Sequence, residues 1–216
     1  MTHFRQHKNV SGATVIETLV AASILLLVFG AVYSVLRAGV RYLQQAEAYQ
    51  TSQQQAVIGM RKMLSELQNS NLATINVNPP IAPVPPVAPG VDHLVFLSAE
   101  SPGSITGAMA HDASTGALQW QKWVCFYRNG NNELWRAEDA LSSPVTLPPS
   151  PTPPDLLTFQ ALSSPAARVL ARHIDTLSFT LGATNNWIVI ELSSRVATSS
   201  DKFTSVRLQS GVRLQN

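Results

Sequence analysis

The 216-residue chain carries 15 lysines and arginines against 13 aspartates and glutamates, is 45% hydrophobic and has one cysteine. A formal net charge of +2 with no basic stripe excludes a protein built to grip phosphate backbones. A single thiol, Cys125, excludes an intrachain disulfide.

A short polar leader holding His3, Arg5, His7 and Lys8 runs into Gly12. The 24 residues from Ala13 to Leu36 then contain one charge, Glu17. The uncharged stretch Thr18–Leu36 would make a helix about 28 Å long at 1.5 Å per residue, close to the ~30 Å hydrocarbon core of a bilayer. A secretory signal has a shorter apolar region, with its small-residue cleavage site after that region. A plain signal anchor explains the length and leaves Glu17 without a task. A carboxylate costs about 2.5–3.5 kcal/mol at mid-bilayer and less near an end. Arg5 and Lys8 precede the span while Arg37 and Arg41 follow it, so charge bias assigns no orientation.

Beyond Leu36 the helical signal continues. Tyr42, Ala46, Tyr49, Gln53, Ala56, Met60, Met63 and Leu67 recur at spacings of four and three, an apolar stripe with Gln53 as its polar exception. Gln44, Gln45, Gln50, Gln54, Arg61, Lys62 and Glu66 fall mostly on the other side. Asn69–Asn71 supplies stop chemistry, which gives a helix of about 85 Å if unbroken. Gly30, Gly39 and Gly59 weaken it locally and mark expected bends. Residues 78–90 hold six prolines and read as an extended connector over the domain surface.

The remainder reads as antiparallel strands: Val91–Ser98, Ala117–Arg128, Asn132–Ala137, Asp155–Leu162, Arg168–Leu181, Trp187–Ser194 and Phe203–Leu214. Asn129-Gly130-Asn131 predicts a hairpin turn, and Asn185-Asn186 another. A second proline cluster, Pro144 to Pro154, separates two strand-rich blocks. A long helix followed by strands is an α+β layout, with the helix packed on one sheet face.

No catalytic constellation emerges, and no enzyme activity or cofactor is expected. His93, His111 and His173 lack ligand spacing, and His93 and His173 fall in expected strands as structural residues. Ser199-Ser200-Asp201-Lys202 matches a Ser-x-x-Lys pattern but sits in a polar hairpin-like segment without companion motifs. His111-Asp112-Ala113-Ser114 and Asn129–Glu133 are oxygen-rich enough to ligate Ca²⁺, although turn chemistry explains both more simply. Cys125, in Trp-Val-Cys-Phe-Tyr, reads as a small packed apolar residue.

A glycine, a cleavable junction and a glutamate five residues into an apolar helix resemble the type IV prepilin leader. The resemblance implies cleavage by prepilin peptidase between Gly12 and Ala13, N-methylation of Ala13, and use of Glu17 for assembly and register against a neighbouring subunit's amine. It also implies a pilin-like fold with a leader at 1–12, a transmembrane and polymerisation helix at 13–36, its amphipathic half at 37–70 and a periplasmic β-rich domain at 71–216. Loss of Arg5 and Lys8 with the leader would leave 13 basic residues against 13 acidic ones. The chain departs from many major pilins in having Ser34 where they carry a kinking proline, and in lacking their C-terminal disulfide loop.

The length, the strand-rich body, the segment Val169–Phe179 and the ending Val206–Asn216 are similar to J-type minor pseudopilins of type II secretion. Val169–Phe179 also resembles a strand of W-type minor pilins, which act in pilus priming, adhesion or DNA uptake. The implied partners are prepilin peptidase, other minor pseudopilins or pilins and the inner membrane, with no nucleic-acid binding. A membrane-anchored periplasmic binding module that never polymerises is the alternative from another class.

Overall fold

The computed structural model describes residues 14–70, 75–77, 93–101, 109–146, 153–181, 187–199 and 202–213. The expected leader, the junction Gly12–Ala13, the proline-rich connector at 78–90 and the turn at Asn185-Asn186 lie outside them. The architecture is α+β: a long N-terminal helix followed by antiparallel sheets.

Helix α1 runs without interruption over Val15–Leu67, 53 residues. It closes where polar stop residues begin, with Asn69 N–H donating to Glu66 O and Ser70 N–H to Leu67 O in i→i+3 bonds that tighten the last turn. The chain divides into two compact units, one ending at Ala46 and one spanning Glu47–Asn216. The second unit therefore begins inside the helix.

In that unit β1(Asn76–Val77), β2(His93–Ser98), β3(Trp120–Arg128), β4(Leu134–Val145) and β5(Ala167–Ala171) form a five-stranded antiparallel sheet in sequence order. A second sheet holds β6(Ile174–Leu181), β7(Trp187–Ser199) and β8(Lys202–Arg213). Alternation divides the first sheet's residues between two cores. Leu94, Phe96, Val124, Phe126 and Leu134 face a core shared with Ala56, Met60, Met63 and Leu67 of α1 and with Ile174, Leu177, Phe179, Ile188, Ile190 and Leu192 of the second sheet. Val95, Leu97, Trp123, Cys125, Tyr127 and Ala137 face a second core closed by Phe159. Covering on both faces is why β2 and β3 read as nearly continuous apolar runs. Each buried Met or Leu of the helix stabilises this unit by about 1.5–3 kcal/mol.

The structure corrects several expectations. Asp155–Leu162 is not a strand. Leu156–Gln160 forms the short helix α2, after Pro153-Pro154, and places Phe159 in the second core. The expected strand Arg168–Leu181 is two strands in different sheets, broken at Arg172-His173, where His173 has φ 62°. The exposed His173 is thus a corner residue and not a strand histidine. Pro144 lies inside β4, in the stretch where the ladder jumps from the Lys122–Ala140 pair to the Trp120–Val145 pair, a register break that accommodates a residue with no N–H.

The helix stripe is also shifted. Ala56, Met60, Met63 and Leu67 are buried as expected, but Tyr49 and Gln53 are exposed, and Ala48 and Ser52 take the inner positions. Glu66, assigned to the polar side, is buried. Gly59 marks a close approach and not a bend: a methyl there would lie 2.8 Å from Leu134 Cδ2.

Candidate functional site

The N-terminal unit is defined by its apolar surface. Its most apolar 18-residue window has a mean hydropathy of 2.5 and none of it is buried in the chain. Leu19, Leu26, Leu27, Phe29 and Leu36 all stand exposed. This is a single helix long and apolar enough to cross a membrane.

Glu17 sits in the first turn of α1 and is engaged locally. Thr14 N–H donates to Glu17 Oε2 at 2.8 Å, and Glu17 N–H donates to Thr14 Oγ1 at 3.3 Å. The pair is a reciprocal capping box, Thr-x-x-Glu, that satisfies two otherwise unpartnered helix-start donors. Its carboxylate also complements the positive end of the helix dipole. The glutamate therefore has a task within its own chain, one the Thr14–Glu17 spacing encodes and an apolarity count passes over. Gly12 and Ala13, the other two residues of the implied processing site, lie outside the described residues.

A second group of charges was not anticipated. Six ionisable side chains meet on the helix-facing side of the first sheet. Arg136 Nε donates to Glu66 at 2.8 and 3.0 Å and Arg136 Nη1 to Glu138 at 2.8 Å. Lys122 Nζ donates to Glu138 at 2.9 Å and lies 3.4 Å from Glu100. Lys62 pairs with Glu66 one helical turn away at 2.7 Å. Lys122 is 1% exposed and Arg136 4%, so the centre of the set is held out of water, with three cations against three anions and Lys62 at its wetter edge. Burial alone would pull the Arg136 guanidinium down, but the Glu66 charge and the bonds to Glu66 and Glu138 hold it above its ordinary value. Burial would raise the Glu138 carboxyl, and the bonds from Lys122 and Arg136 outweigh it, so Glu138 is held below its ordinary value. A balanced set of this kind fixes how helix and sheet register more than it adds net stability. Arg136 and Glu138, two apart in a strand, and Lys62 and Glu66, four apart on the helix, carry the local sequence signal for it.

The oxygen-rich loops spend their oxygens internally. Asp112 Oδ1 accepts from the backbone N–H groups of Ser114 and Thr115 at 2.8 and 2.9 Å and from both hydroxyls. Those bonds, the Ser114 hydroxyl first, hold the carboxyl well below the carboxylate range. Asn129 Oδ1 accepts from Asn131 N–H and Glu133 N–H, closing the β3–β4 hairpin turn. No group of three or more His, Cys, Asp or Glu side chains among the described residues is placed to hold a metal ion. Cys125 is fully buried, and burial pushes its thiol up, away from thiolate chemistry.

No family model, curated protein or solved structure matches the chain.

Proposed function

We propose that this chain is a prepilin-like minor subunit of the J type. Prepilin peptidase removes its leader between Gly12 and Ala13, Ala13 is N-methylated, and α1 anchors the subunit in the inner membrane with the β-rich unit in the periplasm. The helix then passes into the tip of a type II secretion pseudopilus. The observation that carries the reading is the character of α1. One unbroken helix begins with an apolar stretch that is exposed among the described residues and ends as a core element of a β-rich unit. A surface of that size needs lipid or neighbouring helices, at about 25 cal/mol per Å². A filament core of packed helices would supply the second after the first.

The capping box gives the membrane-anchored binding module its own support, because Glu17 is useful to a helix that never leaves the bilayer. Glu17→Gln separates the two roles. Glutamine serves a capping box as glutamate does, so the helix start survives while the charge is lost. In a deletion strain complemented at native expression, Glu17→Gln should remain abundant in membranes and fail in secretion. Intact-mass analysis of the wild type should find a methylated chain beginning at Ala13. A retained leader, or full secretion by Glu17→Gln, would leave the anchored module as the reading. Secretion kept while twitching or DNA uptake is lost would move the assignment to a W-type minor pilin.

A further inference from the structure

A cavity of about 240 Å³ opens where the β3–β4 turn meets the β5–β6 corner and strands β7 and β8, lined by Asn131, Asn132, His173, Asp175, Arg195 and Phe203. Two of these residues, Asn132 at φ 59° and His173 at φ 62°, occupy the left-handed region without being glycine. Both are tied in place through their carbonyls, Asn132 O accepting from Ile174 N–H and His173 O from Arg195 N–H, each at 2.8 Å. An imidazole held in a conformation better suited to glycine is a feature that clusters at ligand sites.

The charges are arranged for a guest. The Arg195 guanidinium carbon lies over the Phe203 ring, 3.8 Å from its centroid, a cation–π contact that holds the head group at the cavity wall. Nearby arginines are paired, Arg172 with Glu133 at 3.6 Å and Arg207 with Glu191 at 2.6 Å. Neither Arg195 nor Asp175 forms an ion pair with a described residue, and they do not pair with each other across the cavity they share. The Asn132 carboxamide oxygen accepts from Arg128 Nη1 at 2.8 Å, leaving its amino group as a donor. A simple anion would meet Asp175, and a simple cation would meet Arg195. A ligand carrying both charges satisfies both walls, and the volume lies below the roughly 300–1,000 Å³ of drug-sized sites.

We propose that this cavity binds an α-amino-acid zwitterion, its carboxylate on Arg195 and its ammonium against Asp175, with Asn131, Asn132 and His173 as further hydrogen-bonding groups. The inference is independent of how the chain is anchored or assembled. Calorimetric titration of the full chain in detergent micelles with glycine, L-serine and L-aspartate tests it, with acetate and methylammonium as single-charge arms. At least one zwitterion should bind saturably and at least tenfold more tightly than either single-charge compound. Arg195→Lys, which keeps the charge and loses the planar fork, and Asp175→Asn should each weaken binding at least tenfold without lowering Tm. His173→Gly should raise Tm by relieving the backbone yet weaken binding at least threefold, a split that a purely structural residue would not give. Absence of saturable zwitterion binding, acetate binding as tight as glycine, or wild-type affinity in these three variants would overturn the assignment.

Discussion

Glu138 is where a single carboxylate ties local chemistry to global stability. Its side chain accepts from both Lys122 and Arg136, each nearly fully buried, and those bonds hold its pKa below the ordinary 4.5 despite burial. The unfolded chain consequently binds more protons than the folded chain in the window just beneath pH 4.5. The contribution of Glu138 is fully present above that window and is lost as pH falls through the depressed folded value. Thermal unfolding of the detergent-solubilised chain between pH 7 and pH 3 should show Tm dropping on the acid side. Glu138→Gln should start from a lower Tm at pH 7 and fall less steeply. Parallel curves for the two proteins would mean that Glu138 titrates alike in the folded and unfolded chain.

At the scale of elements, Gly59 reports how closely α1 meets the sheets. Alanine is favoured over glycine in a helix interior by about 1 kcal/mol, and at Gly30 and Gly39, where an added methyl meets nothing within 4 Å, that preference is unopposed within the chain. At Gly59 the same methyl meets Leu134 Cδ2 at 2.8 Å, with Ala171 Cβ and Leu192 Cδ1 at 3.5 Å. Leu134 is fully buried and can yield only by repacking, at about 1–3 kcal/mol. Packing outweighs propensity. Gly59→Ala should lower stability by about 1 kcal/mol net, read as a reduced urea midpoint, while Gly39→Ala does not lower that midpoint. A stabilised Gly59→Ala protein would show that helix and sheet separate readily.

The whole molecule is divided by what each part of α1 touches. Residues up to Ala46 form one unit and Glu47–Asn216 the other. Ala48 and Ser52 are buried at the upper end of the second unit, and Ser52 Oγ donates to Ser194 O at 3.0 Å. A fragment beginning at Glu47 should be soluble and folded. One beginning at Thr51 should also fold, with Tm lower by a few degrees, about 2–4 °C per kcal/mol in a chain of this size, because Ser52 would sit in a fraying first turn. A fragment beginning at Leu72 lacks Ala56, Met60, Met63 and Leu67 and should aggregate through the apolar surface they cover. Size exclusion and scanning fluorimetry distinguish the three. Equal solubility and Tm for the Glu47 and Leu72 fragments would mean that the helix is dispensable to the folded unit.

Local chemistry alone determined the features that depend on neighbours a few residues away. The apolar run after Ala13 was legible because membrane-length helices are written in composition. The lower helix stripe and strands β6, β7 and β8 were legible because periodicity follows backbone geometry, and β2 and β3 because a short apolar run rich in aromatic and β-branched residues favours a strand. The Thr14–Glu17 box was equally local, although a search for charge pairs across subunits passes over it. Tertiary structure alone decided the rest. Leu156–Gln160 is helical because the second core needs Phe159 there, and a five-residue apolar segment fits either helix or strand. The chain changes sheets at Arg172-His173 through a left-handed residue that no turn signal announces. Glu66 and Lys122 look solvated when read one residue at a time. They are buried because Arg136, Glu138 and Glu100 arrive from other elements to neutralise them, and desolvation is tolerable only once those partners are in place.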